Sequence, residues 1–217
     1  MLKDKIGAYA AELIKPGMTV GLGTGSTAAC FIEHLGKRGL KIQAVASSEA
    51  SLKLAKKVGI PLIDINSITH LDLTVDGADE IDEKKRMIKG GGGALVREKI
   101  VASMSKEMIV IVDSSKLVSK LGKHPLPVEI LPFAYKVTEH AINKLGYNGS
   151  FRKQGNHFYI TDNGNYVYDI HFPTLCENPE KDNENLIHLP GVIDTGFFFH
   201  LAGRVIVGFE DGQIVVR

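Results

Sequence analysis

The chain has little of what several protein classes require. Its formal net charge at neutral pH is only +1, so no electrostatic surplus draws it to nucleic acid or to an anionic membrane. Apolar runs stop at about five residues, far short of a bilayer span. Only two cysteines occur, Cys30 and Cys176. With no CxxC or HExxH pattern, neither a structural nor a catalytic zinc site is expected; the two could form one bridge, but read better as reduced thiols of a cytosolic protein. The N-terminal stretch MLKDKIGAYAAEL carries acids and an amphipathic pattern, unlike a secretory signal. What remains is an ordinary globular composition, 44% hydrophobic and 24% charged over 217 residues. That length suits one large domain or two small ones.

Residues 3–15 read as a helix stopped by Pro16-Gly17. Strands are then expected over 18–22, 41–47, 60–65, 71–76 and 107–113, alternating with helices over about 26–38, 49–59 and from about 93. Short apolar runs separated by helical periods imply a parallel sheet covered on both faces. The pattern changes near HPLPVEILP. From there the order is strand (126–131), helix (133–146), strand (150–160), strand (166–172), helix (177–188) and strand (192–199). This βαββαβ order fits a ferredoxin-like unit. RVIVGF and QIVVR flank EDG, a hairpin expected to return to the first sheet. The expected fold class is α/β, a Rossmann-like parallel-sheet domain (1–125 plus 200–217) with an inserted smaller ferredoxin-like α+β domain (126–199).

Three motifs carry chemistry. In Gly21-Leu22-Gly23-Thr24-Gly25-Ser26-Thr27 a strand turns directly into a helix. Bare N–H groups at a helix start favour a phosphate, and Thr24, Ser26 and Thr27 add hydroxyls beside Gly25. The spacing is GxGxG rather than the dinucleotide GxGxxG, and no GK[ST] follows as in a Walker loop. The plainer alternative is that Ser26 or Thr27 only caps the helix. Asp76-Gly77-Ala78-Asp79-Glu80 ends a strand at the sheet edge where ligands of parallel sheets gather. Asp76 and Asp79 can accept from the hydroxyls of one polyol or shuttle protons. Asp79, Glu80 and Asp82 could instead hold a divalent ion, or Glu80, Asp82 and Glu83 could be a solvated turn. The third motif runs Lys89-Gly90-Gly91-Gly92-Gly93 into a helix carrying Glu98. At 100° per residue Glu98 falls between Leu95 and Val101, and desolvation of that kind tunes a carboxylate toward general-base work. Lys89 and the glycine amides could hold an oxyanion. On an exposed face, Glu98 would merely pair with Arg97 or Lys99.

Together these blocks resemble ribose-5-phosphate isomerase of the A type. The matching stretches are GLGTGSTA (21–28), VDGADEID (75–82), KGGGGALVREKI (89–100), DSSK (113–116), LGKHPLPVEI (121–130), TDNGN (161–165) and PGV…TGFF (190–198). The resemblance implies interconversion of D-ribose 5-phosphate and D-ribulose 5-phosphate through an enediolate, with no redox cofactor or metal. It implies that Glu98 moves the proton between C1 and C2. Lys89 and Gly90, Gly91 and Gly92 would bind substrate and stabilise the enediolate oxygen. Asp76 and Asp79, with Gly77 and Ala78 between them, match substrate-binding positions, and one of the acids would assist ring opening. Thr24, Gly25, Ser26, Thr27 and Lys116 match further substrate contacts. A cytoplasmic homodimer or homotetramer is implied, with a pentose 5-phosphate as ligand.

Other classes compete less well. A sugar-phosphate sensor would use a similar GxGxT loop, but no helix-turn-helix or basic face precedes residue 18 and a sensor needs no Glu98 beside Lys89. An amino-sugar-phosphate deaminase or a CoA transferase shares such a sheet without the other matching stretches. His171, His188 and His200 are expected as packing residues, Met104 and Met108 as core. The aromatics over 151–172 are expected as cross-strand pairs.

Overall fold

A computed structural model describes residues 1–217. Along the chain, α1 (Leu2–Glu12) leads to β1 (Thr19–Leu22), α2 (Ser26–Lys37), β2 (Gln43–Ala46), α3 (Glu49–Lys57) and β3 (Leu73–Asp76). A short hairpin of β4 (Glu80–Ile81) and β5 (Met87–Ile88) precedes α4 (Leu95–Ser103), β6 (Met108–Asp113) and β7 (Leu126–Ile130). Then come α5 (Tyr135–Lys144), β8 (Asn148–Phe151), β9 (Lys153–Gln154), β10 (His157–Phe158) and β11 (Tyr166–His171). The last elements are α6 (Pro179–Ile187), β12 (Val192–Thr195), β13 (Phe197–Phe198), β14 (Ala202–Gly208) and β15 (Ile214–Val216). These form two compact units. The first comprises Met1–Ala78, Arg97–Leu117 and His200–Arg217, the second Asp79–Val96 and Val118–Phe199.

The first unit is built on a six-stranded sheet of order β15-β14-β6-β3-β1-β2. β2, β1, β3, β6 and β14 run parallel, and β15 alone is antiparallel, paired through the expected C-terminal hairpin. Parallel strands covered on both faces need apolar side chains throughout, and Met108, Ile109, Val110, Ile111 and Val112 of β6 are all buried. Ile6, Phe31, Ile32 and Leu35 of α1 and α2 pack with Val20, Leu22, Val75, Ile109 and Ile111. Leu71 and Val45 meet Val101 of α4 in a separate cluster. From β1 the chain passes to β2 on one side and later to β3 on the other. The carboxyl ends of β1 and β3 therefore form a topological switch point, where ligands of such sheets bind. The expected strand over 60–65 is reduced to one bridge between Leu62 and Ala44. Pro61 supplies only its carbonyl there, to Ala44 N, and proline cannot donate to a ladder.

The second unit holds a four-stranded antiparallel sheet of order β12-β7-β11-β8, crossed by α5 and α6, the arrangement of a βαββαβ ferredoxin-like unit. Its core joins Leu126, Val128 and Ile130 of β7 to Tyr168, Ile170, Phe151, Ile142 and Leu186. Tyr168 lies opposite Phe151 across the strands with ring centroids 5.1 Å apart, the cross-strand pairing expected of this aromatic stretch. Two expected strands are broken. The span 150–160 divides into β8, β9 and β10. The span 192–199 divides at Gly196, whose added Cβ would lie 2.4 Å from the Lys89 carbonyl. Beyond Gly196 the chain leaves its sheet, and β13 pairs with β5 of the hairpin. That pairing groups 79–96 with the second unit, where the sequence reading gave those residues to the first. Segment 118–125 joins it too, because Glu80 accepts from Gly122 N (2.7 Å) and His124 N. His171, His188 and His200 lie exposed rather than packed. Cys30 and Cys176 are free thiols.

Candidate active site

In the first unit, four loops leave the carboxyl ends of parallel strands at one sheet edge. The β1 loop is drawn onto β3. Gly23 N donates to Val75 O (2.9 Å), and Thr24 N donates to Asp76 Oδ1 (2.9 Å). Gly77 N donates to the same oxygen at 2.7 Å. Only glycine permits this approach, since a Cβ at Gly23 would stand 2.2 Å from Asp76 Oδ1 and 2.5 Å from Asp76 Cα. Asp76 is 1% exposed, so its carboxylate is fixed rather than mobile. The Thr24 hydroxyl is held by Ser47 and Ser48 Oγ, both at 2.9 Å, beyond β2. Thr24 is therefore part of the loop's scaffold.

Beyond Thr24 the loop becomes available to a ligand. Gly25 is the N-cap of α2 with φ 100°, and no side chain caps this helix. Ser26 and Thr27 thus do not serve as caps, the plainer alternative considered above. Ser26 Oγ instead accepts from Lys3 Nζ at 2.8 Å. An uncapped helix start with no acid in its first turn, beside a lysine, suits an anion. Lys116 stands half-buried in the turn Ser114–Lys116 after β6, at the same edge.

Glu98 lies in the first turn of α4 and is 4% exposed, which excludes the reading of a solvated partner for Arg97 or Lys99. Arg97 meets Glu49 at 3.3 Å. One turn after Glu98, Val101 reaches Gly21 and accepts from the Thr74 hydroxyl through its carbonyl. Thr74 and Asp76 point to the same face of β3, because side chains alternate along a strand. Glu98 and Asp76 are therefore two buried carboxylates on one face of this sheet, both displaced from Thr74 and Val101 toward the carboxyl edge.

In the second unit, Asp79 holds the glycine loop. Its Oδ2 accepts from Gly91 N at 2.7 Å, and a Cβ at Gly91 would lie 2.6 Å from Oδ1. Gly90 has φ 100°, a conformation that L side chains rarely adopt. Lys89 is 2% exposed, with Nζ 5.4 Å from the centre of the Phe198 ring. Burial removes water from this cation, so its charge is screened less than it would be at the surface. Gly91 and Gly92 remain exposed.

Of the acids that sequence reasoning left as a metal site or a solvated turn, Glu83 is exposed, as a solvated turn requires, but Glu80 and Asp82 are buried. Glu80 is 3% exposed and Asp82 6%. Glu80 anchors the 118–125 segment. Asp82 accepts from Lys84 N and Arg86 N and pairs with Arg86 Nε at 2.7 Å. No group of three or more His, Cys, Asp or Glu side chains is arranged to hold a metal ion. The TDNGN stretch is explained by Glu129, fully buried, whose Oε1 accepts from Thr161, Asn163 and Asn165.

Known proteins match this architecture over nearly the whole chain. The family model for ribose 5-phosphate isomerase A (phosphoriboisomerase A) matches residues 43–212. Ribose-5-phosphate isomerase A of Protochlamydia amoebophila is 55% identical over 211 residues, covering 94% of this chain and 90% of that protein. The chain belongs to the ribose 5-phosphate isomerase A family. The solved ribose 5-phosphate isomerase of Plasmodium falciparum matches with a TM-score of 0.94 at 34% identity, covering 100% of this chain and 97% of that one. A D-ribose-5-phosphate isomerase solved with phospho-erythronic acid matches at 0.91 and 38% identity, covering 99% and 98% of the two chains. Within this ribose 5-phosphate isomerase A fold, sequence reading missed Lys3, Ser47 and Ser48, which reach the β1 loop from distant segments. It also missed the groups that grip the glycine loop from beyond residue 150. No local motif marks any of them, because each acts only through a tertiary contact.

Proposed function

We propose that the protein is an aldose–ketose isomerase that interconverts D-ribose 5-phosphate and D-ribulose 5-phosphate through an enediolate. The observation that carries this reading is the pair of buried carboxylates, Asp76 and Glu98, in a chain of this family. Glu98 takes the proton from C2 of the opened aldose and returns it to C1. The hydroxyl proton moves between the two oxygens, so the reaction balances without an electron acceptor. Charge develops on the enediolate oxygen, and Lys89 with the amides of Gly90, Gly91 and Gly92 stabilises it. Asp76 and Asp79 accept from the sugar hydroxyls, aided by the backbone at Gly77 and Ala78, and one of the acids assists ring opening. The phosphate takes the amides and hydroxyls of Gly25, Ser26 and Thr27, next to Lys3, while Lys116 adds a second cation. Thr24 orders that loop through Ser47 and Ser48.

The direct test is to mix the purified protein with ribose 5-phosphate, without nucleotide or added metal, and follow ketose formation. Ketose must form well above the uncatalysed background. Glu98→Gln preserves shape and removes the base, so turnover should fall by about a thousandfold or more while the thermal melt is kept. Near-normal turnover in that variant would remove Glu98 from its role. The reading also includes a cytoplasmic homodimer or homotetramer. Exposed apolar side chains at Leu131, Phe133 and Val137 support a subunit contact, and light scattering would reveal a monomer if that part is wrong.

A further inference from the structure

The glycine loop is held by more than its own sequence. Arg152, between β8 and β9, donates from Nη1 to the carbonyls of Gly90 and Gly91, both at 3.0 Å. Its other edge is locked: Nε donates to Asp169 Oδ2 at 2.9 Å and Nη2 to Asp169 Oδ1 at 2.6 Å. Asp169 sits within β11, paired on both sides, so the fork rests on a rigid strand. Tyr159 adds a third grip, its hydroxyl donating to Gly92 O at 3.1 Å. Three successive carbonyls of the loop are thus fixed by side chains far away in sequence.

A peptide is planar and trans, so its N–H points opposite to its C=O. Holding the Gly90 carbonyl aims the Gly91 N–H, which Asp79 takes at 2.7 Å. Holding the Gly92 carbonyl aims the Gly93 N–H, which closes the turn on Gly90 O at 2.9 Å. Between them lies the Gly91–Gly92 peptide, its carbonyl on Arg152. Its N–H, on Gly92, is used neither by the loop nor by Asp79. We propose that Arg152, locked by Asp169, is a positioning residue that aims the Gly92 N–H at the developing enediolate oxygen. The proposal rests on the isomerase reading and adds a specific donor and the group that orients it. Tyr159 limits rotation of the next peptide.

The consequence is a defect in the transition state rather than in substrate capture. In Arg152→Ala the loop keeps Asp79 but loses the grip on two carbonyls. A misplacement on the order of 1 Å can cost about a hundredfold in rate, so kcat should fall roughly ten- to a hundredfold with KM changed less than about threefold. Affinity for phospho-erythronic acid, which carries a carboxylate where the enediolate oxygen would form, should weaken by the same factor as kcat/KM. Added guanidinium ion should restore part of kcat in Arg152→Ala and have no such effect on the wild-type chain. Wild-type kcat in folded Arg152→Ala would overturn the proposal, as would a loss that guanidinium leaves untouched. If Arg152→Ala fails to fold, Arg152→Lys carries the test. Lysine keeps the charge but loses the planar fork, so kcat should fall with little change in KM, and unchanged kcat would overturn the role. A wild-type chain that forms no ketose would instead sink the isomerase reading itself, which separates the two failures.

Discussion

Gly23→Ala adds one methyl group at the switch point, and its effect can be worked from distances. The new Cβ would lie 2.5 Å from Asp76 Cα and 2.2 Å from Asp76 Oδ1. Carbon atoms pack at about 3.5–4.0 Å, so β1 and β3 must part by roughly 1 Å or Asp76 must leave its place. A backbone atom is the obstacle, so a side-chain rotation cannot relieve it. Separation would stretch the 2.9 Å bond from Gly23 N to Val75 O and the 2.9 Å bond from Thr24 N to the Asp76 carboxylate. Overpacking costs about 1–3 kcal/mol, and losing a hydrogen bond to a charged group costs about 1.5–3 kcal/mol. With partial relaxation the total is about 3–5 kcal/mol, which lowers Tm by roughly 6–20 °C in a chain of this size. Displacing Asp76 and the loop proposed to take the phosphate by that distance should also cost about a hundredfold in kcat/KM. Thermal melts followed by circular dichroism and a steady-state ketose assay measure both. A Gly23→Ala variant that melts and turns over like the wild type would refute the close approach itself.

Further expectations follow from single side chains. Lys89→Ala should reduce kcat by about a hundredfold or more, the scale of losing one good oxyanion donor; the ketose assay at saturating substrate checks it. Glu80→Ala strands the buried amide of Gly122 and the partly buried amide of His124, the former worth about 1–3 kcal/mol, and should lower the midpoint of a urea melt with m unchanged. The Cys176 thiol is pushed up to about 12, chiefly by burial. A raised folded-state value means its stabilising contribution is complete below the unfolded thiol range and is lost as pH rises toward 12. Iodoacetamide at pH of about 8 should therefore leave Cys176 unlabelled until denaturant is added, and rapid native labelling, read by mass spectrometry, would contradict its burial.

Much of the fold was legible because it depends on periodicity. Residues 108–112 are an unbroken apolar run flanked by helical periods, and a parallel sheet is the arrangement that buries such strands. The C-terminal hairpin was legible for the same reason, from EDG between two apolar runs. What escaped were elements whose partners are remote. β4 and β5 have two residues each and become strands only by pairing with each other and with β13. Glu80 and Asp82 looked solvated among Glu83, Lys84 and Lys85, because sequence carries no trace of the backbone amides that receive them. At the candidate site, residue types in a local pattern singled out Asp76, Asp79, Lys89 and Glu98 as candidates. Arg152 and Asp169 gave no signal, since an arginine and an aspartate at that separation are commonplace until the strands bring them together.

By itself the sequence determined the alternation that folds into an α/β sheet, the βαββαβ insertion and the chemical inventory of an isomerase. These are local properties, fixed by residue type, spacing and the two periods of backbone structure. Only the tertiary structure decided which charges are buried and what each of them meets. It buried Glu98 and Asp76 on one sheet face, committed Glu80 and Asp82 to backbone amides, tied Thr24 to serines beyond β2, and set Arg152 behind the glycine carbonyls. Each of those outcomes depends on what lies within about 3 Å of a polar atom, and that distance is set by segments that are not neighbours in the chain.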